Sequence, residues 1–165
     1  MRRLSVALER VYVAAGVAAA GLICAICLVV TAQVALNVMS RVGGPGAGLT
    51  IPSYADVAGH CLAAASFLSL AYALRRDGHI RVTLVVDRLP ASWRDALERV
   101  ALLASAALVG WMTWHLVRLV RDSIAFGDVS TGLLAIPLWI PQSAVAAGAG
   151  LLCVALAHRA AEPGR

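Results

Sequence analysis

Four long stretches without a charged side chain constrain what this chain of 165 residues can fold into. They are residues 11–40, 57–74, 100–117 and 129–157, more than half of the chain. A helix needs roughly 20 apolar residues to cross the hydrocarbon core of a bilayer, and each stretch approaches or exceeds that length with its flanks. The sequence therefore predicts an all-α integral membrane protein with four transmembrane helices. We place the four spans at 11–38, 54–75, 97–118 and 137–158.

Composition points to lipid as the solvent of this chain. Hydrophobic residues make up 61% of the sequence and charged residues 14%, against about 25% charged residues in an average globular chain. Such a composition excludes a soluble enzyme with one buried core and a disordered protein. The runs at 13–30 and 101–109 are apolar on all faces, whereas the strands of an outer-membrane barrel alternate.

The distribution of arginine predicts the orientation. All 14 basic residues are Arg; eleven lie before the first span, between the second and third, or in the tail, and three lie on the opposite side. The positive-inside rule places the richer side, and with it both termini, in the cytoplasm of a multi-pass inner-membrane protein. The net charge of +5 is then a topology signal that needs no nucleic-acid partner. The first apolar stretch far exceeds the roughly 7 to 15 residues of a signal-peptide core, which favours an uncleaved anchor.

Local motifs mark the expected ends of the helices. Ser53 with Asp56, and Ser92 with Asp95, fit the Ser-x-x-acid pattern of a capped helix start, so helices are predicted to begin near residues 54 and 93. Pro137 fits the entry to the fourth span, because proline is tolerated just inside a helix start.

Three further patterns describe how the spans sit in the membrane. Charged and apolar residues interleave at 78–90, which predicts a short amphipathic helix in the cytoplasmic interface, ended by Pro90. Small residues at fourfold spacing, among them Gly16 and Gly148, favour close helix approach. Seven aromatic residues fall near predicted span ends, where their rings would lie at headgroup level; they are Tyr12, Tyr54, Tyr72, Trp93, Trp111, Trp114 and Trp139.

Candidate chemistry is sparse. His60 and His115 fall near the outer ends of neighbouring predicted spans, where they could serve as axial haem ligands. A haem- or quinone-binding four-helix anchor of a respiratory complex is therefore the alternative reading. Cys24 and Cys27 form a C-x-x-C pair deep in the first span, where a thiolate is disfavoured and an apolar filling role fits better. The sequence shows no nucleophile with its base and no paired carboxylates, so we expect no enzyme, no cofactor and no metal.

One string between the second and third spans resembles a known family. It reads Arg75, Arg76, Asp77, Gly78, His79, Ile80, Arg81 and Val82, followed by Leu89 and Pro90. This is similar to the cytoplasmic-loop signature of the small membrane subunit of tripartite ATP-independent periplasmic (TRAP) transporters. Three other matches follow in the family's order: Arg41 at the end of the first helix, Tyr54 to Asp56 at the entry to the second, and Ile136, Pro137, Leu138 and Trp139 at the entry to the last.

The resemblance implies a non-enzymatic subunit of a secondary transporter. In this family a periplasmic binding protein delivers an organic acid or similar solute to a large, elevator-type permease subunit, and the small subunit packs against the static scaffold of the permease. The implied partners are the large permease, the binding protein and the lipid bilayer. The residues that carry the resemblance are the candidate interface residues: Arg41, Tyr54, Asp56, Arg75, Gly78, His79, Ile80, Arg81, Pro90, Pro137 and Trp139.

Overall fold

The computed structural model describes residues 2–42, 50–76 and 90–161. Within these ranges the chain forms four α-helices: α1 (Arg2–Val42), α2 (Tyr54–Arg75), α3 (Ala91–Phe126) and α4 (Trp139–Ala161). All four are long and apolar enough to cross a bilayer. The predicted four-helix, all-α class is confirmed. The predicted interfacial helix at 78–90 lies outside the described residues, except for Pro90 at its end.

The helices stand in a row in the order α1, α2, α4, α3. Helix α2 packs against both α1 and α4, and α4 packs in addition against α3. Neighbours in the row are antiparallel, except that α2 and α4 run in the same direction. Alanine supplies nine of the twelve buried hydrophobic residues in the described part of the chain. The buried cluster that joins the helices combines three of these alanines with three larger side chains, and its members are Tyr12, Ala71, Leu74, Ala106, Ala155 and Leu156. A row leaves α1 and α3 at the two edges, each with a broad outward face.

Glycines set the closest helix approaches. A Cβ atom on Gly148 of α4 would lie 2.5 Å from the carbonyl carbon of Phe67 in α2, and one on Gly16 of α1 would lie 2.9 Å from Cγ of Tyr72. No side chain fits at either position without a shift of its neighbour. The close approach predicted from the small residues is confirmed at these two positions.

The structure corrects the predicted capping pairs. Helix α2 begins at Tyr54 as expected, but Ser53 has a left-handed backbone (φ 55°) and makes no side-chain cap bond. The Ser53 hydroxyl instead accepts a hydrogen bond from the Leu134 amide. Helix α3 begins at Ala91 with Pro90 before it and no side-chain cap, so Ser92 lies inside the helix and is not its cap.

Helix α3 is longer than its predicted span at 97–118, and its register against α4 is set by packing. A Cβ on Gly150 would lie 3.6 Å from Cγ2 of Thr113, and Gly150 is the central residue of the 23-residue α4. Trp111 and Trp114 flank Thr113, so they lie at mid-height of α4. This differs from the headgroup level predicted for both, because the limits of the uncharged run do not fix where α3 contacts its neighbour.

Candidate functional site

Polar contacts gather at the two ends of the row. We call one the Ser53 end, where α1 and α3 finish and α2 and α4 start, and the other the Arg75 end. At the Ser53 end, residues 127–138 between α3 and α4 form a closed loop. Val129 and Pro137 pair in an isolated antiparallel bridge, and the Leu138 amide donates to the Asp128 carbonyl at 3.0 Å. The buried Ser123 hydroxyl donates to the Asp128 carboxylate at 3.1 Å. This 127–138 loop is thus tied to the end of α3.

The same loop docks on the start of α2. The Leu134 amide donates to the Ser53 hydroxyl at 2.9 Å. A Cβ on Gly132 would overlap Oδ2 of Asp56 and lie 2.7 Å from the Ser53 hydroxyl oxygen. Asp56, predicted as a partner contact, is therefore half-buried against the chain's own loop. Its carboxylate lies directly beside Gly132 of the α3–α4 connection, and a partner contact through the same residue stays a prediction.

Gln33 is a second junction at the Ser53 end. Its side chain is only 3% exposed; its amide nitrogen donates to Asn37 Oδ1 at 2.9 Å and to the Thr50 hydroxyl at 3.1 Å. The Ile51 amide donates to its carbonyl oxygen at 2.7 Å. Gln33 thus ties the segment before α2 to α1, a role that the sequence analysis missed. The available signal was an amide pair four residues apart inside an uncharged run, since polar side chains at such depth usually have partners.

At the Arg75 end, arginines join the helix ends to one another. Arg75 binds Glu9 of α1 through Nε at 2.7 Å and Nη2 at 2.5 Å. Arg159 of α4 donates to the Leu74 carbonyl in the last turn of α2 at 2.8 Å. Arg75 is one of the predicted partner contacts, which stays a prediction, and within the chain it pairs α2 with α1. Glu9 was missed, although it is the sole acidic residue among the first 55.

The remaining candidate interface residues that the structure describes lie at both ends of the row and form no single cluster. Arg41 is exposed in the last turn of α1, and Tyr54 is half-buried at the start of α2. Pro90 and Pro137 are exposed, and Trp139 is 41% exposed at the start of α4. Four candidates lie outside the described residues: Gly78, His79, Ile80 and Arg81.

The two histidines weighed as haem ligands are not arranged as an opposed pair. His115 lies on the exposed face of α3, where its ring packs against that of Trp111 with the two ring centres 4.6 Å apart and the planes at 65°. His60 is half-buried on α2, and α4 packs between α2 and α3 in the row. This geometry does not favour the cytochrome-type alternative.

Four membrane-length helices in a row, with polar contacts concentrated at the helix ends, define a multi-pass membrane subunit. Comparison with family models is more specific. The model of the DctQ component of tripartite ATP-independent periplasmic transporters matches residues 26–164. The chain belongs to this family, the small permease component of TRAP transporters, as the sequence motifs had indicated. Neither the comparison with curated proteins nor that with solved structures yields a match.

Proposed function

We propose that this chain is the non-catalytic small membrane subunit that scaffolds the large elevator-type permease of a TRAP-type secondary transporter. The transporter would take up an organic acid or similar solute, delivered by a periplasmic binding protein and coupled to an ion gradient, across the bacterial inner membrane. Membership of the DctQ family supports the assignment to such a transporter. The scaffolding role is our inference from the shape of the chain.

The observation that carries this role is the row of helices. A carrier holds substrate groups near the bilayer midplane between its helices, whereas the cluster that joins these helices consists of Tyr12 and of alanine and leucine side chains. Its two edge helices present large apolar side chains outward, for example Leu28 at 72% and Leu108 at 66% exposure. Surface of this kind suits lipid and a membrane partner, and the solute and ion sites would belong to that partner.

The Ser53 end is the part that we expect to meet the binding protein. The 127–138 loop exposes Leu133 by 86%, and the exposed Arg41 ends α1 at the same end of the row. The loop is pinned to α2 through Ser53, so it would present a fixed surface. The arginine count supports a periplasmic location for this end.

Reconstitution tests the proposal. The tagged chain is co-expressed with its cognate large permease, purified, and placed in proteoliposomes with the binding protein and an imposed ion gradient. We expect the permease to copurify with the chain and solute uptake to depend on the presence of both. The control is the permease alone, matched for amount incorporated. Equal uptake by the permease without this chain would contradict a scaffolding role.

A further inference from the structure

One face of α3 combines polar and aromatic side chains that the chain itself leaves exposed. Trp111, Trp114, His115 and Arg118 are spaced i, i+3, i+4 and i+7, so they share one side of the helix. Trp111 is 64% and Trp114 62% exposed, and His115 and Arg118 are also exposed. We call these four residues the α3 stripe.

The α3 stripe lies at the depth of the apolar middle of α4. Thr113 packs at the level of Gly150, the central residue of α4. With a helical rise of about 1.5 Å per residue, the two indoles and His115 lie within about 3 Å of that level along the axis, and Arg118 about 7.5 Å from it. Each half of α4 is about 17 Å long on the same scale. The stripe is therefore well inside the span.

Lipid is a poor neighbour for such a face. Indoles prefer the headgroup level, and ionisable side chains within a span almost always face protein or a water-filled cavity. The His115 and Trp111 rings pack in a T-shaped pair. Arg118 forms no ion pair within the described residues, Asp122 four residues further along α3 included. Acceptors on a neighbouring protein would satisfy both ionisable groups.

The outward face of α1, at the opposite edge of the row, is apolar in its middle. The outward face of α1 exposes Val17 by 66% and Leu28 by 72% at comparable distances from the helix ends, and the run at 11–40 carries no charge. An apolar edge suits lipid. The contrast between an apolar α1 edge and an α3 edge with aromatic and ionisable side chains indicates that α1 faces lipid and α3 faces protein.

We propose that the α3 stripe docks against a transmembrane segment of the large permease subunit. The facing segment supplies carboxylate or backbone carbonyl acceptors to Arg118 and His115, and apolar surface to the two indoles. This inference rests on the proposed function. A second copy of this chain fits less well, because a symmetric pair about an axis along the membrane normal would bring two Arg118 side chains to the same depth.

Photo-crosslinking from single positions tests the docking surface. A photoreactive amino acid replaces Trp114 on α3 or, as the control, Leu28 on α1, and each chain is irradiated in the purified complex with its cognate permease. We expect an adduct with the permease from position 114 and none from position 28. An adduct from position 28 alone, or from position 114 with a second copy of this chain or with lipid only, would overturn the inference.

Leucine substitutions give a second, independent measurement. If the stripe faced lipid, Arg118→Leu and His115→Leu would leave the recovered complex unchanged or increase it. Docking predicts that each lowers the copurified permease by about fivefold or more, because a buried polar group of the permease loses its partner. The chain's own yield in membranes should not change. Arg99→Leu is the matched control, since it removes the same charge from an exposed position of the same helix that lies away from the stripe.

The possible results of these experiments distinguish failure of the docking surface from failure of the proposed function. An equal loss in Arg99→Leu would attribute the effect to charge alone and overturn the docking surface. If the native chain fails to copurify with the permease, the proposed function and the inference fall together. If it copurifies while position 114 stays silent, the inference alone falls.

Discussion

At Gly148 the backbones of α4 and α2 touch, and one added methyl group would have no space. Its Cβ would lie 2.5 Å from the carbonyl carbon of Phe67 and 2.6 Å from the carbonyl oxygen. We expect Gly148→Ala to lower the unfolding free energy by about 1–3 kcal/mol, as overpacking does when backbone must move. Thermal unfolding of the purified chain in detergent measures the loss.

Gly59→Ala is the matched control for this substitution. It lies on α2, and a Cβ there meets nothing within 4 Å. Because alanine is a better helix former, this variant should be unchanged or stabilised by up to about 1 kcal/mol. Similar midpoints for the two variants would show that Gly148 does not set the distance between α2 and α4.

Single residues also show where sequence reasoning reaches its limit. Arg75 and Asp56 were singled out as candidate partner contacts, which stays a prediction, but their contacts within the chain were not predictable. Arg75 pairs with Glu9, 66 residues away, and Asp56 lies against Gly132 of a distant loop. Both contacts depend on which helices are neighbours and in what register, and neither property is encoded in local spacing.

Among the elements, the 127–138 loop is joined to α2 by a hydrogen bond that a single substitution removes. Ser53→Gly deletes the hydroxyl that accepts from Leu134, at a net cost of about 0.5–1.5 kcal/mol. It also relieves the left-handed backbone at φ 55°, which costs a non-glycine residue about 1–2 kcal/mol. Stability should therefore change little, while amide exchange in the loop accelerates. Hydrogen-exchange mass spectrometry of the loop, with thermal unfolding, tests both expectations.

Ser53→Ala separates the two effects. It loses the same hydrogen bond but retains the unfavourable backbone angle, so it should be less stable than Ser53→Gly by about 1 kcal/mol while loop exchange rises equally. Unaltered exchange in both variants would mean that the Ser53–Leu134 bond does not hold the loop.

The number of helices was predictable, and their relative heights were not. An uncharged run of membrane length predicts a transmembrane helix. In lipid the backbone must satisfy its own hydrogen bonds, and a helix does so within a single segment. The height of α3 instead follows from contacts of small side chains, Gly110 with Cys153 and Thr113 with Gly150. Such contacts leave no periodic trace in the sequence. For this reason the indoles of Trp111 and Trp114 were expected at headgroup level, whereas in the structure they lie at mid-height of α4.

For the whole molecule, the arrangement of the helices in a row leaves much of the surface of a small chain free to contact lipid or a partner. A closed bundle would bury the inner face of every helix, whereas a row buries both flanks of α2 and α4 and leaves one side of α1 and of α3 outward. The chain thereby gains outward area for its length. Such outward area suits the proposed scaffolding subunit, with the α1 edge toward lipid and the α3 edge toward a partner.

The arrangement also makes orientation testable from the two ends of the row. Leu133 in the 127–138 loop is 86% exposed, and Arg76 is exposed at the opposite end. Eleven arginines belong to segments on the Arg75 side and three to those on the Ser53 side, so the Arg75 end should face the cytoplasm. Single cysteines at the two positions report this directly through a thiol reagent that does not cross the inner membrane.

The four native cysteines are replaced first, so that each labelled variant carries a single thiol. Cys24, Cys27 and Cys61 are replaced by alanine, and Cys153 by serine, because the Cys153 thiol donates to the Ala106 carbonyl at 3.3 Å. We expect Leu133→Cys to react in cells whose outer membrane alone is opened, and Arg76→Cys to react only after the inner membrane is lysed. The reverse pattern would place the arginine-rich side outside, and would move the proposed binding-protein surface to the wrong side of the membrane.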